Sequence, residues 1–166
     1  MDWGGRRLGF ARSDALGLTA QPLPAVLLPA ITDKDPEAAE RRTRARAADA
    51  IVAAALEHEV SRVVVGMPLE LSGKAGESAK RVEALVEELR TRFAGRLEVE
   101  TWDERFTSAL AERSLREEGR TLGRRSGGGR ERTRVRPGDK SIVDQRAALL
   151  LLQSWLDAHP GHAEPS

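Results

Sequence analysis

Val60-Ser61-Arg62-Val63-Val64-Val65-Gly66 is the stretch on which the fold turns. A run of β-branched residues closed by glycine reads as a strand buried on both faces. Helical patterns flank it. Upstream, Pro36 sits in a first turn behind the capping candidates Asp33 and Asp35, and Ala47, Ile51, Ala54, Ala55 and His58 form one stripe to about Glu59. Downstream, Val82, Leu85, Val86 and Leu89 keep helical spacing within residues 74 to 93. The next strand is expected over Leu97 to Trp102.

The ends of the chain complete the pattern. The first 30 residues carry β and turn signals, in Arg7 to Arg12 and Leu18 to Leu28. A helix is expected over Thr107 to Glu118, ended by Gly119, and a last helix over Ser141 to Ala158. The order β-β-β-α-β-α-β-α-(loop)-α predicts an α/β fold. Its mixed sheet is a three-strand antiparallel meander followed by βα units, with helices on both faces. The RNase H-like fold has this order, as do sugar kinases and actin-like ATPases, so order alone does not choose a chemistry. With no repeat and no linker, residues 1–158 read as a single domain and 159–166 as a disordered tail.

Composition narrows the class. The 166 residues include no cysteine, so disulfide scaffolds, zinc-thiolate sites and thiol nucleophiles are excluded. No apolar run approaches the ~20 residues of a membrane helix. Met1 to Arg7 lacks the apolar core of a signal peptide, and a cytoplasmic protein is expected. The charge balance of 27 basic and 26 acidic residues conceals an asymmetry. Residues 119–140 hold eight basic and two acidic residues, locally +6, which leaves −5 on the rest. That distribution suits a basic loop for a polyanion on a mildly acidic body, or a solvated insertion.

Three acids lie at element ends beside apolar runs: Asp2 before a Trp-Gly-Gly turn, Glu104 after the strand ending at Trp102, and Asp144 in the first turn of the last helix. Brought together they would repel one another unless they held hard divalent cations. Two such ions can clamp the attacking and leaving oxygens of a phosphodiester. Each acid also has an ordinary reading. Asp2 could belong to a frayed terminus, Glu104 could pair with Arg105 or Arg7, and Asp144 could cap its helix as the acid of Ser141-Ile142-Val143-Asp144.

Other candidates rank lower. Ser72-Gly73-Lys74-Ala75-Gly76 lacks the spacing of a Walker loop. His58, His159 and His162 do not form a metal set, and Trp3, Trp102 and Trp155 are too scattered for a stacking platform.

Four motifs, in order, carry a family resemblance. Asp2-Trp3-Gly4-Gly5-Arg6-Arg7-Leu8-Gly9-Phe10-Ala11-Arg12-Ser13-Asp14 resembles the opening of the YqgF/RuvX family. Val63-Val64-Val65-Gly66-Met67-Pro68-Leu69 and Trp102-Asp103-Glu104-Arg105-Phe106-Thr107-Ser108 are similar to its central motifs. Asp144-Gln145-Arg146-Ala147-Ala148, with Leu152-Gln153-Ser154-Trp155-Leu156, resembles its closing motif. Together they span residues 2 to 157.

The resemblance implies an RNase H-like, metal-dependent endonuclease. The expected task is processing the 5′ end of pre-16S rRNA in ribosome biogenesis. Cleavage of branched DNA at Holliday junctions and a catalytically inactive RNA-binding adaptor are the alternatives. By resemblance, Asp2, Glu104 and Asp144 would be catalytic and would hold Mg²⁺ or Mn²⁺ in a two-metal site. Arg105 lies near them in the motif. Arg124, Arg125, Arg130, Arg132 and Lys140 are candidate nucleic-acid contacts on a mobile basic loop. The expected partners are structured RNA of the pre-rRNA or ribosomal particle, with no membrane, and the expected state is a monomer or weak dimer. The sequence departs from the family in Ser72-Gly73-Lys74, where an acidic turn is usual, and in the length of the basic loop. Only Met1 stands before Asp2, so the first strand is expected to be truncated.

Overall fold

The computed structural model describes residues 1–68, 76–103 and 140–160, with Lys140–Asp144 described by their helical backbone only. Strands β1 (Asp2–Trp3), β2 (Arg7–Ser13) and β3 (Ala20–Leu27) lead into helix α1 (Pro36–Glu57). They are followed by β4 (Arg62–Met67), α2 (Glu77–Phe93), β5 (Glu98–Asp103) and α3 (Lys140–Ala158). The helix expected over Thr107 to Glu118 lies outside the described residues.

Local chemistry sets the element bounds. At α1, Asp35 is the N-cap, accepting from the Glu37 amide at 2.9 Å, and proline occupies the first turn. At α2, the chain turns at Ala94, whose amide donates to the Arg90 carbonyl. The β2–β3 loop is held by Asp14, whose carboxylate accepts from the amides of Leu18 at 2.7 Å and Thr19 at 3.1 Å. Those two amides lower the Asp14 pKa below its ordinary value of 3.8. In the β1–β2 turn, Gly5 takes a φ of 76°, a left-handed conformation that favours glycine.

The meander β1–β2–β3 is antiparallel, and β4–β5 is parallel. Met1 joins the two. Its nitrogen donates to the Val64 carbonyl at 2.5 Å, and its carbonyl accepts from the Gly66 amide at 2.9 Å. Those bonds are the parallel ladder around a Met1–Val65 pair. The strands therefore lie in the order β3–β2–β1–β4–β5, the mixed sheet expected from the sequence.

The faces of that sheet differ. Val63, Val65, Leu8 and Met1 pack with Ile51 of α1 and Val82, Leu85 and Leu89 of α2 in the larger core. All four stripe positions named on α2 are buried, and Leu85 and Leu89 are fully enclosed. Along the outer side of this helical layer, Arg44 meets Glu88 at 3.0 Å and Arg81 meets Glu40 at 3.2 Å. Val64 faces the other way, against Leu151, Trp155 and Leu156 of α3.

Candidate active site

The register fixes where Asp2 stands. Asp2 pairs with Gly9 of β2, and the Met1 ladder places it beside Gly66 of β4, which pairs with Trp102 of β5. Residues across a sheet in one row share a face, and neighbours along a strand alternate. Gly9, Asp2, Gly66 and Trp102 therefore form one row on the α3 side. Asp2 is flanked in its row by two glycines, Gly9 and Gly66. Trp3 and Asp103 lie on the opposite face. Trp3 packs against the larger core, with the Arg81 guanidinium 5.2 Å from its ring centre.

Polar contacts dock α3 onto the row. The Trp102 indole donates to Ser154 Oγ at 3.1 Å, and the Trp155 indole donates to Glu100 Oε2 at 3.1 Å. Gln153 grips the start of β3 and the loop before it: its Oε1 accepts from the Ala20 amide at 2.9 Å, and its Nε2 donates to the Leu18 carbonyl at 3.1 Å. Ala20 opens β3, which runs in the same direction as β1, so residue 153 lies toward the amino edge of these strands. Ser154, the next residue, meets Trp102 near the carboxyl end of β5, and Asp144 stands in the first turns of the same helix. The carboxyl edge of strands is the usual position of sites in α/β sheets.

The described structure thus brings Asp2 and the α3 layer to one face. Glu104, Arg105, Arg124, Arg125, Arg130 and Arg132 lie outside the described residues, and Lys140 and Asp144 are placed by backbone alone. Among the described residues no three His, Asp or Glu side chains cluster. Among the candidate acids, Asp2 alone has a described side chain. Asp2 offers carboxylate oxygens, and the chain has no thiolate to make the site soft.

Several site features were not anticipated. The glycine neighbours of Asp2 follow from pairing register, although Leu8-Gly9 and Val65-Gly66 mark both strands in the sequence. Nor are the tryptophans all scattered. His159, assigned to the tail by sequence, stacks on Trp155 with ring centres 4.5 Å apart and meets Trp102 edge-on at 5.4 Å. Its Nδ1 lies 2.8 Å from the Trp155 carbonyl. Arg62 lies over the Trp155 ring at 5.2 Å while pairing with Glu100 at 3.2 Å. No helix among the described residues is long and apolar enough to cross a membrane.

Comparison with known proteins bears on this geometry. Residues 1–158 match the family described as RuvX: Holliday junction resolvase. A relative from Myxococcus xanthus, named "Putative pre-16S rRNA nuclease", is 34% identical over 160 residues, covering 96% of this chain and 86% of its own. Relatives of the same name from Opitutus terrae and Synechococcus elongatus are 36% and 34% identical. Each alignment covers 95% of this chain, with 88% of the Opitutus and 86% of the Synechococcus protein.

Proposed function

The chain belongs to the RuvX family, and from that premise we propose that it is a metal-dependent endonuclease that trims the 5′ end of pre-16S rRNA in the cytoplasm. The observation that carries the reading is the row Gly9–Asp2–Gly66–Trp102, which sets an acid between two glycines on the face covered by α3. The names of its relatives support the reaction class and the substrate.

Asp2, Glu104 and Asp144 would hold Mg²⁺ or Mn²⁺. When bound, such ions supply charge stabilisation at the scissile phosphate and lower the pKa of attacking water. Asp103, on the opposite face from Asp2, is ill placed to join them, which favours Glu104 as the acid that follows β5. The protein's own part is to orient the phosphate and to bind the flanking backbone. Arg105 is a candidate phosphate contact, and Arg124, Arg125, Arg130, Arg132 and Lys140 would add salt-dependent affinity without sequence preference.

Cleavage assays with purified protein in Mg²⁺ test the reading, using a pre-16S 5′-leader RNA beside a four-way DNA junction. Cleavage of the RNA by wild type, its loss in Asp144→Asn with unchanged helix content, and an intact junction are expected. Junction cleavage by a symmetric dimer would favour the reading drawn from the family description instead. Changing Arg124, Arg125, Arg130 and Arg132 to Ser should flatten the salt dependence of RNA binding, by roughly 0.7–0.9 in log–log slope for each phosphate no longer neutralised.

A further inference from the structure

The hairpin from β1 to β2 carries two adjacent arginines in different surroundings. Arg6 lies in the turn, and its guanidinium donates to the Leu28 carbonyl at 3.3 Å. Leu28 answers with its amide, which donates to the Arg6 carbonyl at 2.7 Å. Arg7 opens β2 and stands opposite Gly4, whose amide donates to the Arg7 carbonyl at 2.9 Å. The neighbouring pair, Trp3 and Leu8, joins the larger core against α1 and α2. Sides alternate along a strand, so Arg7 shares with Asp2 the face covered by α3, which packs along β2. Asp2 and Gly4 on the first strand, with Gly9 and Arg7 on the second, make a square. The acid and the arginine hold one diagonal, and two glycines hold the other. Diagonal neighbours lie about 7–8 Å apart, within reach of a long side chain. Arg7 is half-buried there.

From this square we infer that Arg7 is a further catalytic residue, whose guanidinium contacts a non-bridging oxygen of the scissile phosphate beside Asp2. The inference rests on the nuclease reading. Charge selects that partner. Beside a cation held by Asp2, a guanidinium on the same diagonal meets repulsion, which an anion between them converts into two attractions. A phosphodiester carries one negative charge over two non-bridging oxygens, one for each cation, and the guanidinium fork matches that geometry. In the reaction, water oxygen bonds to phosphorus and gives up a proton, while the sugar oxygen leaves with the bonding electron pair. Negative charge builds on the non-bridging oxygens as this happens. The Arg7 contact is therefore stronger in the transition state than in the bound substrate.

Variants of the full chain test it on pre-16S leader RNA in Mg²⁺. Arg7→Ala should lower kcat about 100-fold with Tm near that of wild type. Arg7→Lys, which keeps the charge without the fork, should recover part of the loss. Arg6→Ala removes the same charge one residue away and should stay within a few-fold of wild type. Calorimetric Mg²⁺ affinity of Arg7→Ala should hold or rise, since a neighbouring positive charge is gone. A fall would make Arg7 a support for the metal ligands and overturn the contact. Binding in Ca²⁺ gives a readout apart from turnover, with RNA carrying a methylphosphonate at the cleaved linkage, where methyl replaces one charged oxygen. For at least one diastereomer, this change should weaken wild type about 10-fold more than Arg7→Ala. Equal weakening of the two proteins with both diastereomers would overturn the proposal, as would full cleavage by Arg7→Ala beside an active wild type. A wild type that neither cuts nor binds the RNA would sink the nuclease reading and the inference together.

Discussion

The two faces of the sheet are built from different chemistry. Against α1 and α2, the sheet presents Met1, Leu8, Val63 and Val65 to a continuous apolar layer, and the polar contacts described there lie at its rim. Against α3, the described residues form a smaller cluster of Val64, Leu151, Trp155 and Leu156, and indole, amide and hydroxyl groups add hydrogen bonds to the attachment. Apolar burial is strong and non-directional, whereas hydrogen bonds are weaker and fix position. The first face therefore supplies stability. The second holds a helix in register over the row containing Asp2.

The division predicts a graded set of outcomes. Leu85→Ala, in the fully enclosed centre of the first face, should cost about 3–4 kcal/mol in chemical denaturation, with cleavage per folded molecule unchanged. A drop in that specific cleavage would break the division. Gln153→Ala removes the bonds from α3 to Leu18 and to Ala20 at the start of β3, and about 2 kcal/mol is expected. Here cleavage should fall further than the unfolded fraction explains, because the helix bearing Asp144 loses a fixed point. Trp102→Phe keeps an aromatic ring but loses part of the indole's packing and the donor to Ser154, for about 1–2 kcal/mol. Its stability change should shrink by about 1 kcal/mol when Ser154 is already Ala, as a double-mutant cycle would show.

The smallest effect belongs to neither layer. Asp14 has a lowered pKa in the folded chain, so its contribution is full above the ordinary value of 3.8 and is lost as pH falls through the folded value. Asp14→Asn should lower Tm slightly at pH 7, where the wild-type contribution is full, and flatten the fall of Tm below about pH 4. A mutant curve parallel to wild type throughout would remove Asp14 from the loop's support.

Much of the first face was legible in the sequence, because its signals are local. Val82, Leu85, Val86 and Leu89 share a stripe at helical spacing, and Asp35 and Pro36 mark a helix start by their own backbone chemistry. The second face depends on contacts across long sequence separations. Trp102 and Ser154, Glu100 and Trp155, and Ala20 and Gln153 meet only once the sheet is assembled. The same holds for the glycines flanking Asp2 and for His159 between two indoles. Asp2 itself was legible as an acid before a glycine turn, but its face was not, since a face is set by register.

The most direct test exploits that register by comparing Asp2→Asn with Asp103→Asn in Mg²⁺-dependent cleavage of a pre-16S leader RNA. Both remove one carboxylate at a strand end, on opposite faces of the sheet. Asp2→Asn should lower cleavage about 100-fold or more and weaken Mg²⁺ binding in calorimetry, while Asp103→Asn stays within a few-fold of wild type. Full activity in Asp2→Asn, or equal losses in the two variants, would contradict the assignment of the reaction to the face beneath α3.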